Sequence, residues 1–287
     1  MITSFLFFPD KDFWQRPEDY GLSYEDVSAV TSDGVRLHGW YLPAWPSHAT
    51  VVMFHGNAGN ISHRLFKTAP LVKEGISFLL IDYRGFGRSE GEIGKGEDLF
   101  SDGRAALDWL QKEKGVAPSG VFLFGESIGS APALQLASEL PVKGVILESP
   151  FTTLKELARK HYPFAPSLLL GSFAFDNLSN IQKMKAPLLI IHGKADEICP
   201  FRMGETLFES ASGAKEIFVI PSGGHNDLVD VAGPEYFSRI RRFVRGGGLS
   251  RLLDFVAFEN QVGNNRDGDK ERHGRLPMTH CPEMQGP

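Results

Sequence analysis

Cysteine is nearly absent from the 287 residues: there are two, Cys199 and Cys281, far apart in the chain. That is no disulfide framework and no zinc signature, and it fits a reducing compartment. Long apolar runs are missing too. The apolar opening Phe5-Leu6-Phe7-Phe8 stops at Pro9 and Asp10, whereas a bilayer-spanning helix needs about 20 apolar residues. Neither the basic start nor the longer apolar stretch of a secretory signal is present. A soluble, cytoplasmic chain is therefore expected. In it, Phe5 to Phe8 form either a strand or loop packed on the core, or a peripheral membrane contact through the N-terminus. Charge of one sign is not in excess either: 30 Lys and Arg stand against 35 Asp and Glu, a net charge of −5. No basic balance favours nucleic acid and no acidic block reads as a solvating tail, so no nucleic-acid partner is expected.

What is present is ordinary globular material, 42% hydrophobic and 23% charged. A chain of this mass buries about three quarters of its surface on folding, enough for one large core without metals or disulfides. Tyr24 to Thr31 and Val35 to Leu42 read as strands joined by the turn Ser32-Asp33-Gly34, a hairpin. Further strands are expected at Thr50 to His55, Ile76 to Asp82, Gly120 to Phe124, Lys143 to Leu147, Pro187 to His192 and Lys215 to Ile220. Helical patterns fall at Leu65 to Glu74, Glu97 to Lys114, Ile128 to Glu139 and Pro234 to Val244. Alternating strands and helices predict a mostly parallel sheet with helices on both faces, edged by the antiparallel hairpin.

Pro150 to Ala186 breaks this rhythm. It carries Phe151, Phe164, Phe173, Phe175 and Leu168-Leu169-Leu170, interrupted by Pro163 and Pro166, and is longer than a usual connection. It is expected to be a small apolar lid, the alternative being a crossover helix with a long approach. Residues 1–245 form the expected domain. After Gly246-Gly247-Gly248, residues 246–287 are expected to be a largely disordered tail, with a short amphipathic helix at Leu249 to Phe258 the one regular element it offers.

Chemistry concentrates in Gly125-Glu126-Ser127-Ile128-Gly129, a G-x-S-x-G sequence between a strand and a helix. Such a turn strains the serine backbone and lifts its hydroxyl above the carboxyl ends of the strands, with small residues needed two before and two after. A serine nucleophile requires a base, and the base an orienting acid. His225, in Gly223-Gly224-His225-Asn226-Asp227 after the last strand, is the candidate base. Asp196, in His192-Gly193-Lys194-Ala195-Asp196, is the candidate acid, with Glu148 as the other acid at a strand end. Asp227 reads as a turn cap, His55 and His192 as loop hydrogen-bonding residues, and Cys199 as a small buried residue. His38, His48, His63 and His161 have no partner pattern and default to surface or structural roles. The backbone N–H groups of Ile128 and Asn57 are the candidate oxyanion donors, with Gly56 and Gly59 admitting a close substrate approach.

These stretches together resemble the α/β-hydrolase family and, within it, the Bem46-like branch that includes α/β-hydrolase domain-containing protein 13. The resemblance is carried by His55-Gly56-Asn57-Ala58-Gly59-Asn60-Ile61, Asp82-Tyr83-Arg84-Gly85-Phe86-Gly87-Arg88-Ser89-Glu90-Gly91, the elbow at 125–129, His192-Gly193 with Asp196, and Gly224-His225-Asn226-Asp227. It spans about residues 24 to 245 and implies an α/β-hydrolase fold and serine hydrolase activity, with Ser127, Asp196 and His225 as the triad. Members of the branch often begin with a membrane-anchoring segment, and this chain is expected to start beyond one. Relatives include thioesterases that remove acyl chains from protein cysteines.

The expected activity is hydrolysis of a small-molecule or lipid-like acyl ester or thioester through an acyl-enzyme, with no metal or organic cofactor. A prolyl-oligopeptidase-like peptidase and a non-catalytic α/β-hydrolase scaffold are the alternatives.

Overall fold

A computed structural model describes residues 3–162, 171 and 173–246. Eight strands form one sheet: β1 (Glu25–Val30), β2 (Arg36–Leu42), β3 (Ala49–Phe54), β4 (Ile76–Ile81), β5 (Val121–Glu126), β6 (Gly144–Glu148), β7 (Leu188–Gly193) and β8 (Lys215–Ile220). Their spatial order is β8-β7-β6-β5-β3-β4-β2-β1. All pairings from β4 to β8 are parallel, while β1 with β2 and β2 with β4 are antiparallel. The order reverses around β3, so β3 and β5 lie side by side, with their carboxyl ends at one rim. Loops leaving neighbouring strands at such a reversal open a crevice where ligands bind in open α/β sheets.

Among the described residues, besides the single turn Thr3–Leu6, eight helices accompany the sheet: α1 (Leu65–Lys73), α2 (Gly96–Lys114), α3 (Ser130–Glu139), α4 (Leu154–His161), α5 (Asn177–Lys183), α6 (Phe201–Ser210), α7 (Leu228–Ala232) and α8 (Pro234–Val244). Strand side chains alternate between faces. Val52, Phe54, Leu79 and Ile81 join one apolar cluster with Leu99, Leu107, Leu134, Ile181 and Leu207 of α2, α3, α5 and α6. Val51, Met53, Phe78 and Leu80 join the opposite cluster with Leu65 of α1 and Tyr236, Ile240 and Phe243 of α8. Because both faces are covered, β3 and β4 are buried at every position, which is why they read as unbroken apolar runs.

The helix at Phe201–Ser210 is absent from the sequence reading. Gly204 interrupts its pattern, and the structure gives the reason: a Cβ there would lie 2.2 Å from Nδ1 of His192. The predicted helix start at Ile128 also shifts. Residues Ser127–Gly129 form a 3₁₀ turn and α3 begins at Ser130, leaving Pro132 in its first turn, where its missing N–H costs nothing.

The 150–186 interval contains α4 and α5, closed at its base by an antiparallel bridge between Thr153 and Asp176. Thr153 caps α4 by accepting from Glu156 N–H, and Asp176 caps α5 by accepting from Ser179 N–H. Phe151, Phe173 and Phe175 are buried in the main core, so they pack the domain rather than line a lid surface. Phe164 and Leu168 to Leu170 lie outside the described residues. So does the expected tail, apart from Gly246.

Candidate active site

Ser127 follows β5 with φ = 51°, one of two non-glycine residues in the left-handed region among those described. Such a conformation costs roughly 1–3 kcal/mol and persists where its surroundings impose it. The imposing contacts are backbone ones. A Cβ at Gly125 would lie 2.6 Å from the Gly129 carbonyl oxygen. A Cβ at Gly129 would lie 2.1 Å from the carbonyl oxygen of Phe54, at the end of β3. The second glycine is therefore required by the neighbouring strand and not by its partner in the motif. Ser130 Oγ donates to the Ser127 carbonyl at 2.6 Å and accepts from Asn177 Nδ2 at 2.9 Å, tying the turn to the start of α5.

The three residues singled out in the sequence meet at this rim. His225 Nε2 lies 3.0 Å from Ser127 Oγ, and His225 Nδ1 lies 2.8 Å from Asp196 Oδ2. A carboxylate only accepts, so Nδ1 carries the ring proton and Nε2 presents its lone pair to the serine hydroxyl. The loops bearing His225 and Asp196 are sewn together. Ala195 N–H donates to the Gly223 carbonyl at 3.0 Å and Lys194 N–H to the Ile220 carbonyl at 3.0 Å. A Cβ on Gly193 would sit 2.1 Å from that Gly223 oxygen, so the approach of the loops requires glycine.

Asp196 is buried, and Oδ1 accepts from the N–H groups of Ile198 at 2.9 Å and Cys199 at 2.7 Å. Burial alone would raise its carboxyl pKa. Hydrogen bonds from His192 and His225, with the Cys199 N–H, outweigh it and hold the group well below the usual carboxylate range. His192 Nε2 donates to the Cys199 carbonyl at 2.8 Å and lies 3.3 Å from Asp196 Oδ2, a loop-fixing role. Cys199 is buried against Ser127. Burial, then the Asp196 carboxylate, pushes its thiol up to about 12. Glu148, the other acid weighed for the histidine, faces elsewhere: it binds Lys67 Nζ at 2.7 Å and accepts from the Tyr236 hydroxyl. Asp227 caps its turn by accepting from Gly224 N–H.

The loop after β3 is held from three sides. His55 Nδ1 donates to the Gly56 carbonyl at 2.7 Å, which turns that peptide so that the Asn57 N–H points the opposite way. The N-terminal segment forms a two-residue parallel bridge with the loop, Phe8 opposite Ala58 and Pro9 opposite Gly59. Phe8 N–H donates to the Asn57 carbonyl at 2.8 Å, and Asn57 Nδ2 donates to the Leu6 carbonyl at 2.9 Å. Asn60 Nδ2 donates to the carbonyls of Asp10 at 3.1 Å and Asp12 at 2.7 Å. From below, Arg64 Nη1 donates to the Ala58 carbonyl at 2.9 Å while Nε and Nη2 reach Glu126 at 3.1 and 3.0 Å. The packing around Gly56 and Gly59 gives each a reason to be glycine apart from any substrate. A Cβ on Gly56 would meet Arg64 and Glu126, and one on Gly59, at φ = 77°, would meet His63 and Arg64.

The sequence model of the family described as serine aminopeptidase, S33 matches residues 46–175. The Arabidopsis thaliana protein named alpha/beta hydrolase domain-containing protein WAV2 is 31% identical over 249 residues, covering 79% of this chain and 80% of its own. The chain belongs to the α/β-hydrolase superfamily. The Mycobacterium tuberculosis protein Rv2307c is 38% identical over 221 residues, covering 76% of this chain and 78% of its own. Among solved structures, a Pyrococcus furiosus esterase, Pf2001, superposes with a TM-score of 0.70 at 23% identity, covering 84% of this chain and 98% of that one.

Several residues of this α/β-hydrolase site escaped the sequence reading: Arg64, Lys67, Glu126, Ser130, Asn177 and the full role of His192. Their shared signal is polarity where apolarity is expected. Arg64 and Lys67 are buried where the chain enters α1, and Glu126 ends an apolar strand. Among the described residues, no group of three or more His, Cys, Asp or Glu side chains is arranged to hold a metal ion. None of the described helices is long and apolar enough to cross a membrane.

Proposed function

We propose that this α/β-hydrolase is a serine esterase or thioesterase of the Bem46-like branch, cleaving an acyl ester through an acyl-enzyme. The observation that carries this reading is the continuous hydrogen-bonded line Ser127–His225–Asp196, with separations of 3.0 and 2.8 Å. Ser127 is assigned as nucleophile. His225 takes its proton as the hydroxyl attacks the acyl carbon, returns it to the leaving group, and then activates water for deacylation. Asp196 holds the imidazole in the required tautomer and stabilises the imidazolium. The N–H groups of Asn57 and Ile128 are assigned to the oxyanion; among the described residues neither has a protein acceptor. The esterase name of the Pyrococcus furiosus structure supports the reaction class.

The insertion of about residues 150–186 is assigned as the lid. His161 Nε2 on α4 reaches the Ile198 carbonyl at 2.8 Å, beside the Asp196 loop. A cytoplasmic location with peripheral membrane contact belongs to the same reading, supported by the exposed Phe5 and Phe8; Phe7 between them is buried against Phe86 and Phe173.

The description of the matching family as serine aminopeptidases favours a second reading, peptide hydrolysis by the same residues. Turnover of p-nitrophenyl esters of graded chain length, beside aminoacyl amides, separates the two. Ser127→Ala is expected to abolish ester turnover and labelling by a fluorophosphonate probe. A Ser127→Ala protein that still labels removes Ser127 from its role.

A further inference from the structure

Beneath the candidate oxyanion hole lies a buried array of four charges. Arg64 comes from the 3₁₀ turn Ile61–Arg64 that leads into α1, Lys67 from the first turn of α1, Glu126 from the elbow and Glu148 from the end of β6. Lys67 Nζ is 3.4 Å from Glu126 and 2.7 Å from Glu148. Two cations and two anions balance, so burial of the group leaves no net charge. Burial alone would raise the Glu126 carboxyl, but Arg64 and Lys67 outweigh it and hold the group well below the usual range. Burial alone would lower Lys67, but Glu126 and Glu148 outweigh it and raise its amine. None of these side chains lies in the line of Ser127, His225 and Asp196.

Arg64 differs from the rest because its guanidinium spans two backbone segments. Nε and Nη2 form a two-pronged bond to Glu126, whose backbone leads directly into Ser127 and Ile128. Nη1 donates to the Ala58 carbonyl at 2.9 Å and lies 3.5 Å from that of Asn60, on the loop that begins with Gly56 and Asn57. The two assigned oxyanion donors sit on these two segments. A rigid, planar cation with five donors suits such bridging; an ammonium acts as a single point. The loop is shaped around it: a Cβ on Gly56 would lie 3.1 Å from Nη2 and one on Gly59 3.2 Å from Nη1.

We infer that Arg64, clamped by Glu126, is a positioning residue that sets the separation of the Asn57 and Ile128 amides and so the fit of the oxyanion hole to the tetrahedral intermediate. The inference rests on the serine hydrolase reading above. An oxyanion hole discriminates by geometry: its donors must meet the oxygen of the intermediate and not that of the ground-state carbonyl. Loosening the brace therefore lowers kcat and leaves substrate binding largely intact.

The test uses the full chain with Arg64→Gln, Arg64→Lys, Glu126→Gln and the Arg64→Gln/Glu126→Gln double variant. Each is assayed on a p-nitrophenyl ester and titrated with a trifluoromethyl ketone, which forms a tetrahedral adduct with the serine. For Arg64→Gln, kcat is expected to fall about 10- to 100-fold with KM within about twofold, and affinity for the ketone to fall by the same factor. Arg64→Lys, keeping the charge and losing the bridge, should stay near Arg64→Gln. The double variant should be no slower than the slower single, because both break one device. Glu126→Gln preserves side-chain shape and serves if the Arg64 variants fail to fold.

A wild-type kcat in Arg64→Lys, a loss confined to KM, or additive single losses overturns the brace. Those outcomes are distinct from failure of the underlying reading, in which wild-type protein is inert to ester and to fluorophosphonate; that result takes the brace with it.

Discussion

Gly129→Ala puts the geometry of the elbow to a direct test. The added methyl would lie 2.1 Å from the Phe54 carbonyl oxygen, 2.7 Å from its carbon and 2.9 Å from the His55 oxygen. All three are backbone atoms, and a real Cβ essentially never comes within 3.0 Å of a neighbour. The elbow and β3 must part by about 1 Å, or the 3₁₀ turn must rotate. Overpacking of this kind costs about 1–3 kcal/mol. It also displaces the Ser127–Ile128 side of the hole from the Asn57 side, and a misplacement near 1 Å costs on the order of 100-fold in rate. The assay is kcat on a p-nitrophenyl ester together with the thermal midpoint. Gly120→Ala is the control, because its Cβ would meet Val116 at an ordinary 3.5 Å; it should leave both quantities near wild type. Gly129→Ala with wild-type kcat and midpoint would refute the reasoning, since the clash would then relax without moving the site.

Asp196→Asn should lower kcat by roughly 10⁴-fold through loss of the imidazole tautomer. The depressed Asp196 carboxyl contributes stability above the ordinary aspartate value of about 3.9, and that contribution is lost as pH falls through that value toward the folded one. Urea unfolding should therefore show wild type more stable than Asp196→Asn at neutral pH and the gap closing below about pH 4; a gap constant with pH contradicts the assignment. Cys199, with its thiol pushed up to about 12, should resist iodoacetamide at pH 8 in the folded protein and react once unfolded. Mass spectrometry of the Cys199 peptide reads this, and rapid native alkylation would show the thiol more open than described.

The central strands were legible because burial on both faces leaves a run with no alternation to misread, as in Ile76–Ile81, while the edge hairpin was legible from its turn residues and its exposed-buried alternation. Ser127, Asp196 and His225 were legible for a related reason: each follows a strand in a glycine-bearing loop, and Gly125, Gly129 and Gly193 are required where two backbones come close. What was not legible lies in contacts between distant segments. Nothing local marks Arg64 as a partner of Glu126, 62 positions away. In the Pro150–Ala186 interval, Phe173 and Phe175 read as a covering surface and instead fill the core. At Gly56 and Gly59 the guanidinium of Arg64 is a neighbour that sequence does not show, since a glycine cleared for a ligand and one cleared for a side chain read alike.

The parallel bridge from Phe8 and Pro9 to Ala58 and Gly59 has a practical corollary. It ties residues 8 and 9 to the loop whose Gly56–Asn57 peptide group is assigned to meet the negative oxygen. A change that unpairs this segment would release the loop on that side, since Phe8 N–H holds the Asn57 carbonyl at 2.8 Å.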